Sequence, residues 1–199
     1  MHFEFLVEEP SAEAALQNLL PLILGHTDFA IHPSQGKVVL IRNLPGRLKG
    51  YKHWLPQDWR IVVLVDQDDD DCHRLKAALE EAAIGAGLTT KSKRKSGTNF
   101  QVLNRVAIEE LEAWFFGDPD AVVRAYPRVS ASFAHKESYR HPDRIRGGTW
   151  EALERLLQRA GYHRGGLSKI RAARDISAHM VPARNSSESF SAFRDGLCI

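Results

Sequence analysis

The sequence is poor in the residues that mark several common classes of protein. It has two cysteines among 199 residues, Cys72 and Cys198, too few for a disulfide framework and without a second cysteine at metal-ligand spacing. We expect both thiols to be reduced, as in a cytoplasmic protein. No stretch approaches eighteen uncharged apolar residues, so no transmembrane helix is expected. The opening segment MHFEFLVEEP has no basic region, so no secretory signal is expected either.

Several motifs of catalysis and cofactor binding are also missing from the sequence. It contains no GxSxG, no P-loop and no GxGxxG, which argues against acyl transfer, ATP hydrolysis and dinucleotide binding. Its nine histidines are scattered, with no HxH or HxxxH pair. A zinc site built from histidines is therefore not expected.

Charge is distributed unevenly along the chain, although its sum is small. Lys and Arg number 27 and Asp and Glu 25, so the net charge of +2 predicts no partner. Acidic residues concentrate at Glu8 and Glu9, at residues 66–71 and at residues 109–112. Basic residues concentrate at residues 91–95 and from Arg124 onward.

The order of apolar segments predicts an α/β fold. Segments of strand composition lie at residues 3–7, 29–31, 61–65 and 100–107. Helical spacing of apolar residues predicts helices over residues 11–24, 36–44, 72–86, 108–116, 149–160, 167–179 and 188–197. Pro21 should bend or shorten the first helix, and Pro45 should end the second. Strand–helix alternation predicts a Rossmann-like, mostly parallel four-stranded sheet flanked by helices in residues 1–126, with a helical extension in residues 127–199 packed on it.

Acidic residues follow three of the predicted strands. Glu8 and Glu9 end the first, Asp66 and Asp68 end the central one, and residues 109–112 follow the last. In an open parallel sheet, functional groups collect beyond the carboxyl ends of the strands, so these carboxylates should converge at one edge. Like charges at short range raise each other's pKa, and a divalent cation relieves that repulsion. Carboxylate oxygens favour Mg²⁺ or Mn²⁺ over softer ions.

The segment VDQDDDDC has alternative interpretations. A solvated acidic turn at the start of a helix is one, but five acids after a buried strand are more than a cap needs. An EF-hand loop fails, because its sixth position would be Asp71 rather than Gly and its twelfth Ala77 rather than Glu. A phosphatase of the haloacid-dehalogenase type places its DxD after the first strand of the domain, where this chain has Glu8.

The acidic residues of the predicted helix IEELEAWFF lie at different positions around its axis. Glu109 points away from the apolar stripe and is expected to be plain surface. Glu110 and Glu112 border that stripe, where carboxylates beside large apolar groups need metal ligation or an arginine partner.

Two basic regions are candidates for contact with nucleic acid, and for both the alternative is an ordinary solvated surface. The loop KSKRKSGTN supplies the first set of phosphate-binding candidates: Lys91, Lys93, Arg94 and Lys95. The helical extension supplies a second set, for contact with DNA or with a partner protein: Lys169, Arg171, Arg174 and Arg184.

Two segments resemble the Toprim domain of topoisomerases, primases and overcoming-lysogenization-defect nucleases. FLVEEPSAEAAL is similar to its strand ending in Glu, and VVLVDQDDDDCHRLKAAL to its DxD strand and following helix. Over nearly its full length the chain resembles a bacterial family of small Toprim-like proteins, often encoded beside an ATPase and linked to defence against phage. The motifs that carry this resemblance are AIEELEAWFFGDPDAV, YRHPDRIRGGTWEALERLL, GLSKIRAAR and RNSSESFSAFR.

The resemblance implies a Toprim-like fold and a metal site of Mg²⁺ or Mn²⁺. The residues that it assigns to catalysis are Glu8, Asp66, Asp68, Glu110 and Glu112. The residues that it implies for metal binding are Glu8, Asp66, Asp68, Asp71 and Glu112. Two positions depart from the Toprim pattern. Glu9 stands where Toprim domains have Gly. Ala12 stands where the related nucleases have an acid, and this chain has Glu13 one residue later.

These observations lead us to expect a divalent-metal-dependent nuclease that acts on nucleic acid, DNA first, in a bacterial defence or DNA-processing system together with an ATPase. Water is the expected nucleophile, because no tyrosine has a context that marks it for that role. Two alternatives remain open. One is a non-catalytic, Toprim-shaped binding or regulatory subunit of an ATPase complex, and the other is hydrolysis of a small phosphorylated substrate.

Overall fold

The computed structural model describes residues 1–198, so the last residue of the predicted helical extension lies outside it. Its strands are β1 (His2–Val7), β2 (Asp28–Pro33), β3 (Trp59–Asp66) and β4 (Val102–Ala107). Its α-helices are α1 (Pro10–Leu24), α2 (Lys37–Trp54), α3 (Cys72–Gly85), α4 (Glu112–Phe116), α5 (Pro119–Ala125), α6 (Thr149–Arg159), α7 (Lys169–Ser177) and α8 (Glu188–Leu197). No helix in this part of the chain is long and apolar enough to cross a membrane.

The four strands form one parallel sheet in the order β2-β1-β3-β4. β1 pairs in parallel with both β2 and β3, and Val7 at its end lies opposite Pro33 and Leu64. Residues 61–65 of β3 are at most 2 % exposed, as expected for an aliphatic central strand covered on both faces. The predicted Rossmann-like parallel α/β fold is confirmed.

The chain folds into two compact units. The first consists of residues 1–10 and 26–106, and the second of residues 11–25 and those from 107 onward. The predicted division into residues 1–126 and 127–199 stays a prediction.

The first unit has a continuous apolar core between the sheet and helices α2 and α3. These two helices contact each other and present leucines to the sheet. The buried members of this core are Leu6, Leu40, Leu44, Leu48, Tyr51, Ile61, Val63, Val65, Leu75, Leu79, Ala83, Ala86, Leu88 and Val102. Burial of this set holds the strand ends, and with them the acidic residues that follow β1 and β3, in fixed positions.

Helix α2 continues through Pro45, so the prediction that it ends there is wrong. Leu44, Leu48 and Tyr51 extend the buried stripe for two turns, while Pro45 itself is exposed. Burying a leucine side chain gains about 1.5–3 kcal/mol, so burial of Leu48 together with Tyr51 beyond the proline offsets its cost of roughly 3 kcal/mol. Pro21 likewise lies inside α1, which continues to Leu24.

The predicted helix over residues 108–116 is wrong in its first half. Helix α4 begins only at Glu112, and Glu109 adopts a left-handed backbone with φ of 60°. The positions around a helix axis that were inferred for Glu109 and Glu110 therefore do not apply. Residues 113–116 of α4 are all at most 1 % exposed, so this short helix is buried all round rather than amphipathic.

The second unit is helical, with an aromatic core. Helix α4 contacts α5, α6 and α7. The Trp114 ring packs on Phe190 and Phe193 of α8, with centroids 5.2 and 4.9 Å away. Trp114 also donates its indole N–H to Ser189 Oγ over 3.0 Å, so the polar tip of this buried side chain is satisfied. Three short 3-10 helices, at Ala131–His135, Glu137–Tyr139 and Pro142–Arg144, join α5 to α6.

Candidate functional site

Glu8 and Asp66 are neighbours at the carboxyl edge of the sheet. Glu8 directly follows β1, and Asp66 is the last residue of the adjacent strand β3. The backbone N–H of Asp66 donates to Glu8 Oε2 over 3.2 Å. Asp66 is 8 % exposed. Two acidic residues that are 58 positions apart in the chain thus meet where functional groups of a parallel sheet collect.

The environment of Glu8 disfavours its negative charge. Burial raises its pKa above the ordinary value of 4.5, and the nearby Asp68 and Glu9 carboxylates act in the same direction. The hydrogen bond from the Asp66 N–H and the charge of Lys37 act against this shift without cancelling it. Glu8 is therefore a half-buried carboxylate whose charge is incompletely compensated, which is the condition that a cation relieves.

The ammonium group of Lys37 lies within the acidic loop that follows β3. Lys37 Nζ is 2.7 Å from Asp68 Oδ2 and 2.7 Å from Asp70 Oδ2. It also donates to the backbone oxygens of Asp66 and Gln67, over 3.3 and 3.0 Å. Although burial acts to lower the pKa of Lys37, the two aspartates raise it above 10.5, so the group is charged. The loop therefore already holds one cation, supplied by the chain.

Sequence reasoning missed Lys37. Its partners lie about thirty residues further along the chain, so no local spacing reveals them. The sequence offers one indication that Lys37 has a special role. It is the first residue of α2, where a positive charge is unfavourable because it opposes the helix dipole. The preceding Gly36 has φ of 94°, a backbone that favours glycine, and its N–H donates to the Glu8 carbonyl oxygen over 3.0 Å. This bond fixes the start of α2 beside the end of β1.

Asp71 has a structural role that explains its position. Its carboxylate accepts the backbone N–H of Arg74 over 2.8 Å and caps the N-terminus of α3. That hydrogen bond lowers the pKa of Asp71. Asp68 differs, because it adopts a left-handed backbone with φ of 47° and directs its carboxylate to Lys37.

Glu110 and Glu112 belong to the second unit. Glu110 Oε2 accepts from Thr149 Oγ1 over 3.0 Å and from the Trp150 N–H over 2.9 Å, which caps the N-terminus of α6. Glu110 Oε1 lies 3.5 Å from Lys169 Nζ. Glu112 is the first residue of α4 and is 2 % exposed. The catalytic roles of Glu110 and Glu112 stay predictions. Glu110 also has a structural role, because it caps α6.

The basic loop folds partly over an aromatic ring. Lys91 Nζ and the Arg94 guanidinium lie 5.2 and 5.4 Å from the centroid of Phe100, which is buried. Lys93 and Lys95 are exposed. Phe100 thus supports two of the loop's cationic side chains. Contact of the loop with nucleic acid stays a prediction.

The basic residues of the helical extension differ in their environments. Arg184 makes two hydrogen bonds to the fully buried Asp118, over 2.8 and 2.9 Å, so it supports the fold of the second unit. Lys169 pairs with Glu110, and its ammonium group lies 5.3 Å from the centroid of Trp150. Arg171 is largely exposed beside Asp175.

The donor set at the sheet edge fits a hard divalent cation. Glu8, Asp66 and Asp68 offer carboxylate oxygens only, which Mg²⁺ and Mn²⁺ prefer. The raised pKa of Glu8 indicates that its negative charge is short of compensation. Within residues 1–198, no three His, Cys, Asp or Glu side chains are arranged so as to hold one metal ion together. Lys37 engages Asp68 through Oδ2, so an ion at this site would compete with the ammonium group for that oxygen.

The fold and the site define a Rossmann-like α/β protein with a carboxylate pair at the carboxyl edge of its parallel sheet and a lysine in the adjoining acidic loop. The chain belongs to the family described as "Domain of unknown function (DUF4276)", whose model matches residues 7–198. The matched range includes Glu8, Lys37 and Asp66. Comparison with curated proteins and with solved structures found no match in either set.

Proposed function

We propose that the protein is a divalent-metal-dependent nuclease that hydrolyses phosphodiester bonds of nucleic acid. The observation that carries this proposal is the meeting of Glu8 and Asp66 at the carboxyl edge of the sheet, with Asp68 two residues further on. Glu8, Asp66 and Asp68 would hold Mg²⁺ or Mn²⁺. When bound, such an ion polarises a phosphodiester and lowers the pKa of an attacking water.

The protein's own residues would divide the remaining tasks. Glu8 would hold the ion through its carboxylate, which the Asp66 N–H orients by its hydrogen bond to Oε2. Lys37 would release Asp68 as the ligands assemble, and its ammonium group would remain available for a phosphate oxygen. Lys91, Lys93, Arg94 and Lys95 would contact the backbone of the substrate strand.

The test is nicking of supercoiled plasmid in Mn²⁺ or Mg²⁺ by the full chain and by single variants. We expect Asp66→Asn and Glu8→Gln to lower the rate on the order of 10²-fold, because each removes a charged oxygen from the site. Asp69→Asn is the matched control, since Asp69 lies exposed in the same loop and has no contact that links it to Glu8, Asp66 or Lys37. It should retain at least about half of the wild-type rate.

Two results would contradict the nuclease proposal. One is absence of metal-dependent cleavage of DNA and RNA by the wild-type chain. The other is cleavage that persists in Asp66→Asn and Glu8→Gln at the rate of the Asp69→Asn control. Hydrolysis of small phosphomonoesters alone would indicate a phosphatase instead.

A non-catalytic subunit of an ATPase complex is the second candidate function, and Lys37 is the observation that favours it. An acidic loop that the chain itself neutralises can be stable without a metal ion. This candidate expects an ATPase partner to bind the wild-type chain and Asp66→Asn equally, with no cleavage by either. The nuclease proposal also includes an ATPase partner and a role in defence against phage, but it requires that Asp66→Asn lower the activity of the assembled complex on the order of 10²-fold.

A further inference from the structure

The second unit contains a pocket of about 690 Å³ that is rich in cationic side chains. It lies between the 3-10 segments that follow α5 and the side of α6. The side chains that give it its chemical character are Glu137, Tyr139, His141, Arg144, Arg146 and Arg155. All six lie in the second unit and outside the carboxylate site described above.

Two of the pocket's arginines flank a buried residue. Arg144 is the last residue of the third 3-10 helix, and Ile145, which follows it with an extended backbone, is 4 % exposed. Ile145 is buried while its two neighbours, Arg144 and Arg146, are exposed, and both arginines line the pocket. Gly147 and Gly148, with φ of 78° and 82°, then turn the chain into α6, which carries Arg155 in its second turn.

The three guanidinium groups have no ionic partner in the described part of the chain. Within residues 1–198, Arg144, Arg146 and Arg155 are exposed, and none makes an ion pair or a side-chain hydrogen bond. Other arginines of the same unit do have such partners: Arg184 binds Asp118, and Arg194 binds Asp195. Glu137 is the one carboxylate that lines the pocket. Three positive charges therefore share one cavity without an equal number of internal counter-ions.

We propose that this pocket binds the phosphate group of a nucleotide, either free or as part of a nucleic acid strand. Guanidinium groups match phosphate oxygens in geometry and charge. The cavity volume lies in the range of small-ligand sites, about 300–1,000 Å³, and exceeds what a lone phosphate fills. Tyr139 is held by stacking on Phe116 at 5.2 Å and provides, with His141, a surface against which a base or sugar can pack.

The test is equilibrium binding in EDTA, which separates this pocket from any metal-dependent cleavage. The probe is a fluorescein-labelled single-stranded DNA 12-mer followed by anisotropy, with adenosine 5′-monophosphate as competitor. We expect Arg144→Ala/Arg146→Ala and Arg155→Ala each to weaken binding by about ten-fold or more. Arg164→Ala is the matched control, because Arg164 is an exposed, unpartnered arginine of the same unit outside the pocket, and it should change binding less than about two-fold.

Competition by the mononucleotide would identify free nucleotides as ligands, and binding of the 12-mer without competition would identify a strand. Both results support the pocket, provided that the pocket variants melt at the wild-type temperature. Equal losses in Arg164→Ala and in the pocket variants would overturn the proposal, since they would reflect general charge attraction. So would failure of the wild type to bind either probe at about 1 mM. Plasmid cleavage in Mn²⁺ can succeed or fail independently of each result.

Discussion

Lys37 is the residue on which the state of the acidic loop depends. Its ammonium group bridges Asp68 and Asp70 at 2.7 Å each and contacts two backbone oxygens between them. A divalent ion bound as we propose would compete with this ammonium group for the Asp68 carboxylate. In the proposed metal site Lys37 would therefore set the affinity of the loop for the ion, in addition to holding its conformation.

Replacing Lys37 by methionine should strengthen metal binding. Lys37→Met removes the internal cation and leaves two carboxylates uncompensated, so we expect Mn²⁺ affinity, measured by calorimetry, to rise about ten-fold. Lys49→Met removes an exposed lysine of the same helix and should leave it unchanged. Unchanged or weaker Mn²⁺ binding by Lys37→Met would mean that Asp68 is not a ligand.

Glu4 is a second residue whose charge the structure stabilises, at a position unrelated to the proposed chemistry. Glu4 is 7 % exposed, and its carboxylate lies within hydrogen-bond distance of His2, His32 and Tyr51, at 2.8, 2.5 and 2.9 Å. Burial acts to raise the pKa of Glu4, but these hydrogen bonds outweigh it and lower the pKa below 4.5. Ionised Glu4 therefore stabilises the fold above about pH 4.5, and this contribution is lost as pH falls through the lowered pKa.

Glu4→Gln should show this pH dependence directly. At pH 7 we expect the variant to lose about 1–3 kcal/mol of unfolding free energy, and at about pH 3 to lose less. Urea unfolding at both pH values measures the difference, with the exposed Glu81→Gln as control. A loss that is equal at both pH values would show that the charge of Glu4 is not what stabilises the fold.

At the scale of elements, Asp118 connects the start of α5 to the segment after α7. It is fully buried, and its carboxylate accepts from the backbone N–H of Val181 over 2.8 Å and from two nitrogens of Arg184. It also caps α5 by accepting from the Ala121 N–H over 3.4 Å. A single carboxylate thus fixes a helix start and a distant loop within the second unit.

Asp118→Ala should accordingly destabilise the protein far more than Asp120→Ala. We expect a loss of about 2–4 kcal/mol for Asp118→Ala, because several hydrogen-bond donors are left without their acceptor. Asp120 is 67 % exposed in its ion pair with the same arginine, so its replacement should cost less than about 1 kcal/mol. Thermal melts of both variants give the comparison. Equal melting temperatures would show that the Asp118 network adds little to stability.

The elements that sequence reasoning placed well are those with regular apolar spacing. The aliphatic run of β3 and the repeating apolar residues of α3, α6 and α8 identify their segments unambiguously. The errors arose where burial overrides local preference. Burial of Leu48 and Tyr51 extends α2 past Pro45. Helix α4 is buried on all sides, so its apolar residues do not define the single stripe from which residues 108–111 were assigned to a helix.

At the scale of the whole molecule, strand–helix alternation and acidic strand ends were enough to predict the parallel sheet and the neighbouring positions of Glu8 and Asp66. Two features of the proposed sites could not be predicted from the sequence. Lys37 meets its partners only through the tertiary fold. The arginine pocket is built mainly from short 3-10 segments, which lack the periodicity that sequence reasoning needs.

The central claim is that carboxylates at the end of β1 and β3 bind one divalent ion, and the most direct measurement is an anomalous difference map from a crystal soaked in Mn²⁺. The account predicts a peak bound by carboxylate oxygens of Glu8 and Asp66, with Asp68 turned away from Lys37. A map with no peak beside Glu8 and Asp66 at saturating Mn²⁺, and with Lys37 still bridging Asp68 and Asp70, would contradict it.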